Sequence, residues 1–378
     1  MKIAVAPDSY KGSLSAKEVS DAIERGIKKC DSTAEVVKVP MADGGEGTVR
    51  ALVDATGGRI IDVTVSDPLM RRINAFYGIL GDNSTAVIEM SAASGLTLLS
   101  KDERDPLITT TYGTGELIID ALNRGCTKII IGIGGSATND GGEGMAKALG
   151  VKFIGSNGND IGLGGGYLNK LHSIDTSKID KRIFDCEIVA ACDVENPLCG
   201  ENGASHVFGP QKGASPDDVE LLDNNLLHYG KLVEDATGVK VVDVKGSGAA
   251  GGLGAALLAF LDAKLEKGIE IVTKTVSLES RIKDADLVIT GEGMIDFQTA
   301  FGKTPYGVAK IASKYGIPVI AIAGGIGKDA DTLYKKGFAS IFCIADKPMT
   351  LEESVENCER LLEDAAERIM RLILAVRH

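Results

Sequence analysis

Four short stretches of the chain mix glycine with acidic side chains: Asp8 to Ser15, Asp43 to Gly47, Gly134 to Gly144 and Gly291 to Lys303. Glycine lets backbone approach a ligand closely, and amides at the start of a helix suit a phosphate or a carboxylate. A bare carboxylate repels such a ligand. The combination makes chemical sense where a divalent cation lies between the two, or where the carboxylate takes a proton from a substrate hydroxyl. Aspartate and glycine are also ordinary turn formers, so the repetition in four loops, rather than any one of them, points to chemistry. Two of the loops echo each other: Asp43-Gly-Gly-Glu-Gly-Thr-Val-Arg-Ala-Leu returns as Asp140-Gly-Gly-Glu-Gly-Met-Ala-Lys-Ala-Leu.

Standard nucleotide signatures fare differently. A P-loop needs four residues between its first glycine and Gly-Lys-Ser/Thr; Gly302-Lys303-Thr304 follows Gly293 with eight between, so the pattern fails. Gly246-Ser-Gly-Ala-Ala-Gly251 does satisfy G-x-G-x-x-G, after Val241 to Val244 and before an apolar helix. The acidic residue at a suitable distance, Glu270, is expected at the start of the next strand, the wrong end for holding a ribose. An NAD-dependent oxidoreductase of a small hydroxy acid is therefore an alternative reading, as is a non-catalytic ligand sensor. Nicotinamide binding without ATP turnover would favour the first, and binding without product the second. His172, His206, His228 and His378 show neither metal-ligand spacing nor a serine–aspartate context.

The chain has 378 residues, enough for two domains. With 41 basic and 53 acidic residues its net charge is −12, which excludes a uniformly basic nucleic-acid footprint. Positive charge for phosphate must then be local, or supplied by a metal. Seven cysteines without a C-x-x-C pair read as reduced thiols of a cytoplasmic protein. The apolar stretch before Pro7 is too short for a signal peptide, and Ala249 to Leu261 falls short of a membrane span. No membrane partner is expected.

The elements that must position these loops alternate. Ile3 to Ala6 and Val36 to Val39 read as buried strands. Ser15 and Glu18 form a capping box for a helix whose Val19, Ala22, Ile23 and Ile27 share one face. Leu287 to Ile289, Val319 to Ile322 and Ile341 to Ile344 read as further strands, with a long last helix from about Leu351. The middle differs. Asp62 to Gly78 and Ala86 to Met90 have hairpin spacing, Lys128 to Ile133 is a strand, and helices open near Glu116, Gly144 and Ser215-Pro216. The expected fold is α/β: an open parallel sheet domain (1–62 plus 283–378) interrupted by a large inserted mixed α/β domain (63–282).

Seven motifs in order resemble the bacterial glycerate kinase family over nearly the whole chain. They are Asp8-Ser-Tyr-Lys-Gly-Ser-Leu-Ser, Asp43-Gly-Gly-Glu-Gly-Thr, Thr111-Tyr-Gly-Thr-Gly-Glu and Gly132-Ile-Gly-Gly-Ser-Ala-Thr-Asn-Asp-Gly-Gly, then Cys192-Asp-Val-Glu-Asn-Pro-Leu, Phe208-Gly-Pro-Gln-Lys-Gly-Ala and Thr290-Gly-Glu-Gly-Met-Ile-Asp-Phe-Gln-Thr. The resemblance implies a flavodoxin-like domain and transfer of the ATP γ-phosphoryl group to D-glycerate, giving 2- or 3-phosphoglycerate, with the 2-product favoured. Mg²⁺ would be carried by Asp43, Asp140 and Glu292. Asp193 and Asp296 would orient or deprotonate the hydroxyl, with Lys11 beside them. The nucleotide would be held by Asp8, Ser13, Gly134, Gly135, Ser136, Lys212, Gln298 and Lys303, the lysines serving phosphate or the glycerate carboxylate. Met70 and Arg72 stand where the family pattern more often has glycine and proline. Glu143 stands where it usually has a small residue.

Overall fold

The computed structural model describes residues 1–376; the sequence reading of His378 lies outside them. Its strands, in chain order, are β1 Lys2–Val5, β2 Glu35–Lys38, β3 Arg59–Ser66, β4 Arg72–Ile79, β5 Thr85–Glu89, β6 Lys128–Gly132, β7 Lys152–Gly155, β8 Leu171–Asp175, β9 Glu187–Ala191, β10 Lys264–Glu266, β11 Leu287–Ile295, β12 Val319–Ile326 and β13 Phe338–Cys343. They divide between two compact units. The first takes Met1–Asp43, Arg50–Gly57 and the chain from Gly268 onward; the second takes Gly44–Val49 and Gly58–Lys267.

In the first unit the strands are ordered β13-β12-β11-β1-β2, and every neighbouring pair is parallel. This is the 2-1-3-4-5 order of a flavodoxin-like sheet, with its switch point between β1 and β11. Helix Ala16–Cys30 begins at the expected capping box, Ser15 with Glu18. Its Val19, Ala22, Ile23 and Ile27 are buried with Ile3, Val5, Leu287 and Ile289, and with Leu361, Leu362 and Ile369 of helix Cys358–Val376. Burying each of the valine, leucine and isoleucine side chains stabilises by ~1.5–3 kcal/mol. The two helices meet so closely that a Cβ on Gly26 would lie 2.2 Å from the Glu363 carbonyl oxygen. Arg25 pairs with Glu359 at 2.6 Å and Lys29 with Glu363 at 2.7 Å along the same seam.

The second unit is built on the order β10-β9-β6-β5-β4-β3. β3, β4 and β5 run antiparallel in turn, while β5, β6, β9 and β10 are parallel. The four parallel strands therefore deliver their carboxyl ends to one edge of this unit. Helix Pro216–Thr237 starts at Ser215 with proline in its first turn, as its sequence requires.

Several details differ from the sequence reading. β7, β8, β9 and β10 are not expected from the sequence; β9 reads Glu-Ile-Val-Ala-Ala, whose alanines are weak strand formers. The single last helix is two, Leu351–Glu356 and Cys358–Val376. Val241 to Val244 form no strand, and Glu270 lies in helix Gly268–Thr275 instead of opening a strand. The glycines at 246–251 lack the strand a dinucleotide fingerprint needs, and they serve close packing. A Cβ on Gly248 would sit 2.0 Å from the Pro197 carbonyl oxygen, and one on Gly251 2.0 Å from that of Thr138.

Candidate active site

A cavity of about 520 Å³ opens in the first unit at the carboxyl ends of its parallel strands, where ligands bind in open α/β sheets. Asp8 follows β1, and its amide donates to the Gly291 carbonyl of β11 (2.8 Å), which ties the two loops together. Tyr10 sends its buried hydroxyl to the Ile322 carbonyl at 2.8 Å, so the loop carrying Lys11 is pinned across the sheet. Gly293, Gly324 and Gly325 bring backbone to the cavity from β11 and β12, and Ile344, Met349, Leu351 and Val355 make an apolar wall.

The polar lining is mixed in charge: Asp8, Asp43 and Glu292 stand with Lys11 and Lys303. Burial first, and then the Asp43 carboxylate, push the Asp8 carboxyl up to about 7, against the hydrogen bonds it accepts. Those come from Thr304 Oγ1 at 2.5 Å and the Ser9 amide at 2.7 Å. Thr304 opens helix Thr304–Ser313, whose N-cap residue is Lys303 and whose first turn has no side-chain cap. Glu292 accepts from Thr299 Oγ1 at 2.7 Å and pairs with Lys303 Nζ at 3.3 Å. Its carboxyl is raised chiefly by burial. The donors are hard oxygens of the kind Mg²⁺ takes, and one or two carboxylates with substrate phosphates are its usual complement. Among the described residues no group of three or more His, Cys, Asp or Glu gathers into a metal cage.

Of the residues singled out from sequence, Asp8, Lys11, Ser13, Asp43, Glu292 and Lys303 come together here. Asp296 and Gln298 do not line the cavity. Asp296 caps the turn Phe297–Phe301, accepting from the Gln298 amide at 2.8 Å. Gly134, Gly135, Ser136, Asp140, Asp193 and Lys212 belong to the second unit. Asp140 is fully buried and faces its own loop: it accepts from the Thr111 amide and hydroxyl, both at 2.8 Å, and from the Gly142 amide at 3.0 Å. Lys212 is buried too, donating to Ser136 Oγ and the Thr138 carbonyl. Asp193 is exposed just beyond β9. Thr304 and Gly324-Gly325 were missed by the sequence reading. The glycine pair ends the apolar run Val319 to Ala323 within β12, a signal as strong as that of the acid–glycine loops.

The sequence profile of the Glycerate kinase family matches residues 3–374. The chain belongs to that family. It is 56% identical to the Glycerate 2-kinase of Escherichia coli, over 94% of this chain and 93% of that one. It is 53% identical to the Glycerate kinase of Bacillus subtilis, over 98% and 97%. A solved structure bearing the name glycerate kinase 2, from Salmonella typhimurium LT2, superposes with a TM-score of 0.92 at 52% identity, covering 100% of this chain and 99% of that one. No described helix is long and apolar enough to cross a membrane.

Proposed function

We propose that this protein transfers the γ-phosphoryl group of ATP to D-glycerate, giving 2-phosphoglycerate, with ATP held in the cavity of the first unit. The observation that carries the reading is the lining of that cavity: two lysines and three carboxylates around glycine strand ends, beside an apolar wall. Lys11 and Lys303 neutralise phosphate oxygens. The uncapped start of helix Thr304–Ser313 adds amides with a partial positive charge. Asp43 and Glu292 would hold Mg²⁺, which would offset the negative charge of the phosphates. Asp140, taken up by its own loop, is not among the metal ligands we assign.

In the reaction the acceptor hydroxyl oxygen attacks the γ-phosphorus, the bond to the β-phosphate oxygen breaks, and the hydroxyl proton passes to a carboxylate. Asp193 is the carboxylate assigned to that proton. Asp296 is assigned instead to setting the turn that leads to Lys303. Support for the 2-product is the name of the Escherichia coli relative. A cytoplasmic setting accords with seven free thiols.

The test is ADP release from Mg-ATP with D-glycerate, beside L-glycerate and no-acceptor controls, with enolase added in parallel. D-glycerate-dependent ADP with direct enolase turnover supports the reading. ADP without enolase turnover makes the 3-product, and no ADP from folded protein refutes the kinase.

A further inference from the structure

In the second unit, the segment Gly134–Gly135–Ser136 leaves the carboxyl end of β6, the strand flanked by β5 and β9. Both glycines are exposed, and Gly135 has φ +72°. Gly135 offers its carbonyl to the Leu96 amide, and Ala137 donates to Ser94. Among the described residues none accepts from the amides of Gly134, Gly135 or Ser136. Successive unpartnered amides around a left-handed residue form a nest suited to an anion.

Behind this nest lies Lys212, only 1% exposed. Its Nζ donates to Ser136 Oγ at 2.8 Å and to the Thr138 carbonyl at 2.7 Å. No described carboxylate forms an ion pair with it; Asp140 acts on it only at longer range. An ammonium has donors and no acceptor. Ser136 Oγ must therefore accept from it, and the serine's own O–H is left for another acceptor, which no described residue supplies. Burying an ammonium without a counter-charge is expensive unless a ligand provides one.

The arrangement suits one negative charge. A single lysine stands behind the loop, and Asp140 nearby works against a doubly charged phosphate. Resting on the phosphotransfer reading above, we infer that Gly134–Gly135–Ser136 seats the carboxylate of the hydroxy-acid acceptor, with Lys212 a positioning residue that acts through the Ser136 hydroxyl. The nest thereby selects an acid over a neutral polyol such as glycerol.

Calorimetric titration of the full chain with D-glycerate, and separately with Mg-ADP, tests this in wild type, Ser136→Ala, Lys212→Met and Gly134→Ala. A Cβ on Gly134 meets nothing within 4 Å, so that variant keeps its fold and places a methyl group where the carboxylate would lie. Each variant should weaken glycerate by about tenfold or more, as expected for a lost charge-assisted hydrogen bond, while Mg-ADP affinity stays unchanged. The Ser136→Ala/Lys212→Met double variant should bind no worse than Ser136→Ala alone, since the lysine works through the serine. In kinetics KM for glycerate should rise more than kcat falls. Should Lys212→Met fail to fold, Ser136→Ala and Gly134→Ala carry the test. Turnover with glycerate affinity intact in Ser136→Ala overturns the site and leaves the kinase standing. Equal weakening of Mg-ADP, or an additive double variant, also overturns it. A wild type that neither binds nor phosphorylates glycerate removes both readings.

Discussion

Asp8 and Thr304 form a buried carboxylate–hydroxyl pair at 2.5 Å in the cavity of the first unit. The bond fixes the first residue of helix Thr304–Ser313 beneath the β1 loop, and with it the direction of the free amides. Thr304→Val keeps the shape and deletes the donor; kcat/KM for ATP should fall about tenfold with little change in Tm. Asp8→Asn should cost on the order of 10²-fold in steady-state turnover, because it removes charge from a site built on charge balance. At Lys212, burial brings the ammonium down to about 7 while Asp140 pulls it back up. The charged form prevails below that value. Glycerate KM should therefore rise as pH climbs through neutrality, and Lys212→Met should flatten that profile while raising KM throughout. A profile that keeps its slope in Lys212→Met would assign it to another group.

Two elements of the second unit carry local conflicts that substitution would relieve. The turn between β3 and β4 puts Met70 at φ +64°, in the left-handed region that favours glycine. An L-residue there costs roughly 1–2 kcal/mol, while glycine costs about 0.5–1 kcal/mol in chain entropy. Met70→Gly should therefore stabilise slightly, by about 0.5–1 kcal/mol, seen as a rise of a few degrees in the calorimetric Tm. Arg72, the first residue of β4, pairs with Glu116 at 2.6 Å. Helix Glu143–Ala148 begins with a fully buried carboxyl. Lys147 approaches it to 2.6 Å, yet burial outweighs that pairing and holds Glu143 up to about 8. Its ordinary value is 4.5, so the folded state binds the extra proton between the two. Stability must then fall as pH rises across that window. Glu143→Gln should match wild type in Tm near pH 5 and exceed it above pH 8; equal Tm at both ends would show that the carboxyl is ionised throughout.

At the scale of the whole chain, the two units have separate cores and separate strand-end loops, so each ligand should leave its own footprint. Ligands that bind only the native state suppress the openings that allow amide exchange. In hydrogen exchange, Mg-ADP should protect residues 8–13, 293–304 and 344–355 in the first unit. D-glycerate should protect 134–137 and the segment around Lys212 in the second. Nucleotide protection confined to the second unit would reverse the assignment of the cavity.

Sequence alone determined what depends on local chemistry. Ser15 with Glu18, and Ser215 with Pro216, announce helix starts through hydrogen bonds that span only a few residues. The apolar runs of β1, β11 and β12 announce buried parallel strands, and the acid–glycine loops at their ends announce where chemistry gathers. Sequence could not say which loops share a site, because that depends on strand order: β11 reaches β1 across more than half the chain, while the look-alike motifs leave Asp43 in the first unit and Asp140 in the second. Nor could it separate a carboxylate that lines a cavity from one enclosed by its own loop. Asp43 and Asp140 stand in the same motif, yet Asp43 lines a cavity, whereas Asp140 has its oxygens filled by amides and hydroxyls from Thr111 and Gly142. Burial and the direction of neighbouring donors decide that difference, and only the tertiary structure supplies them.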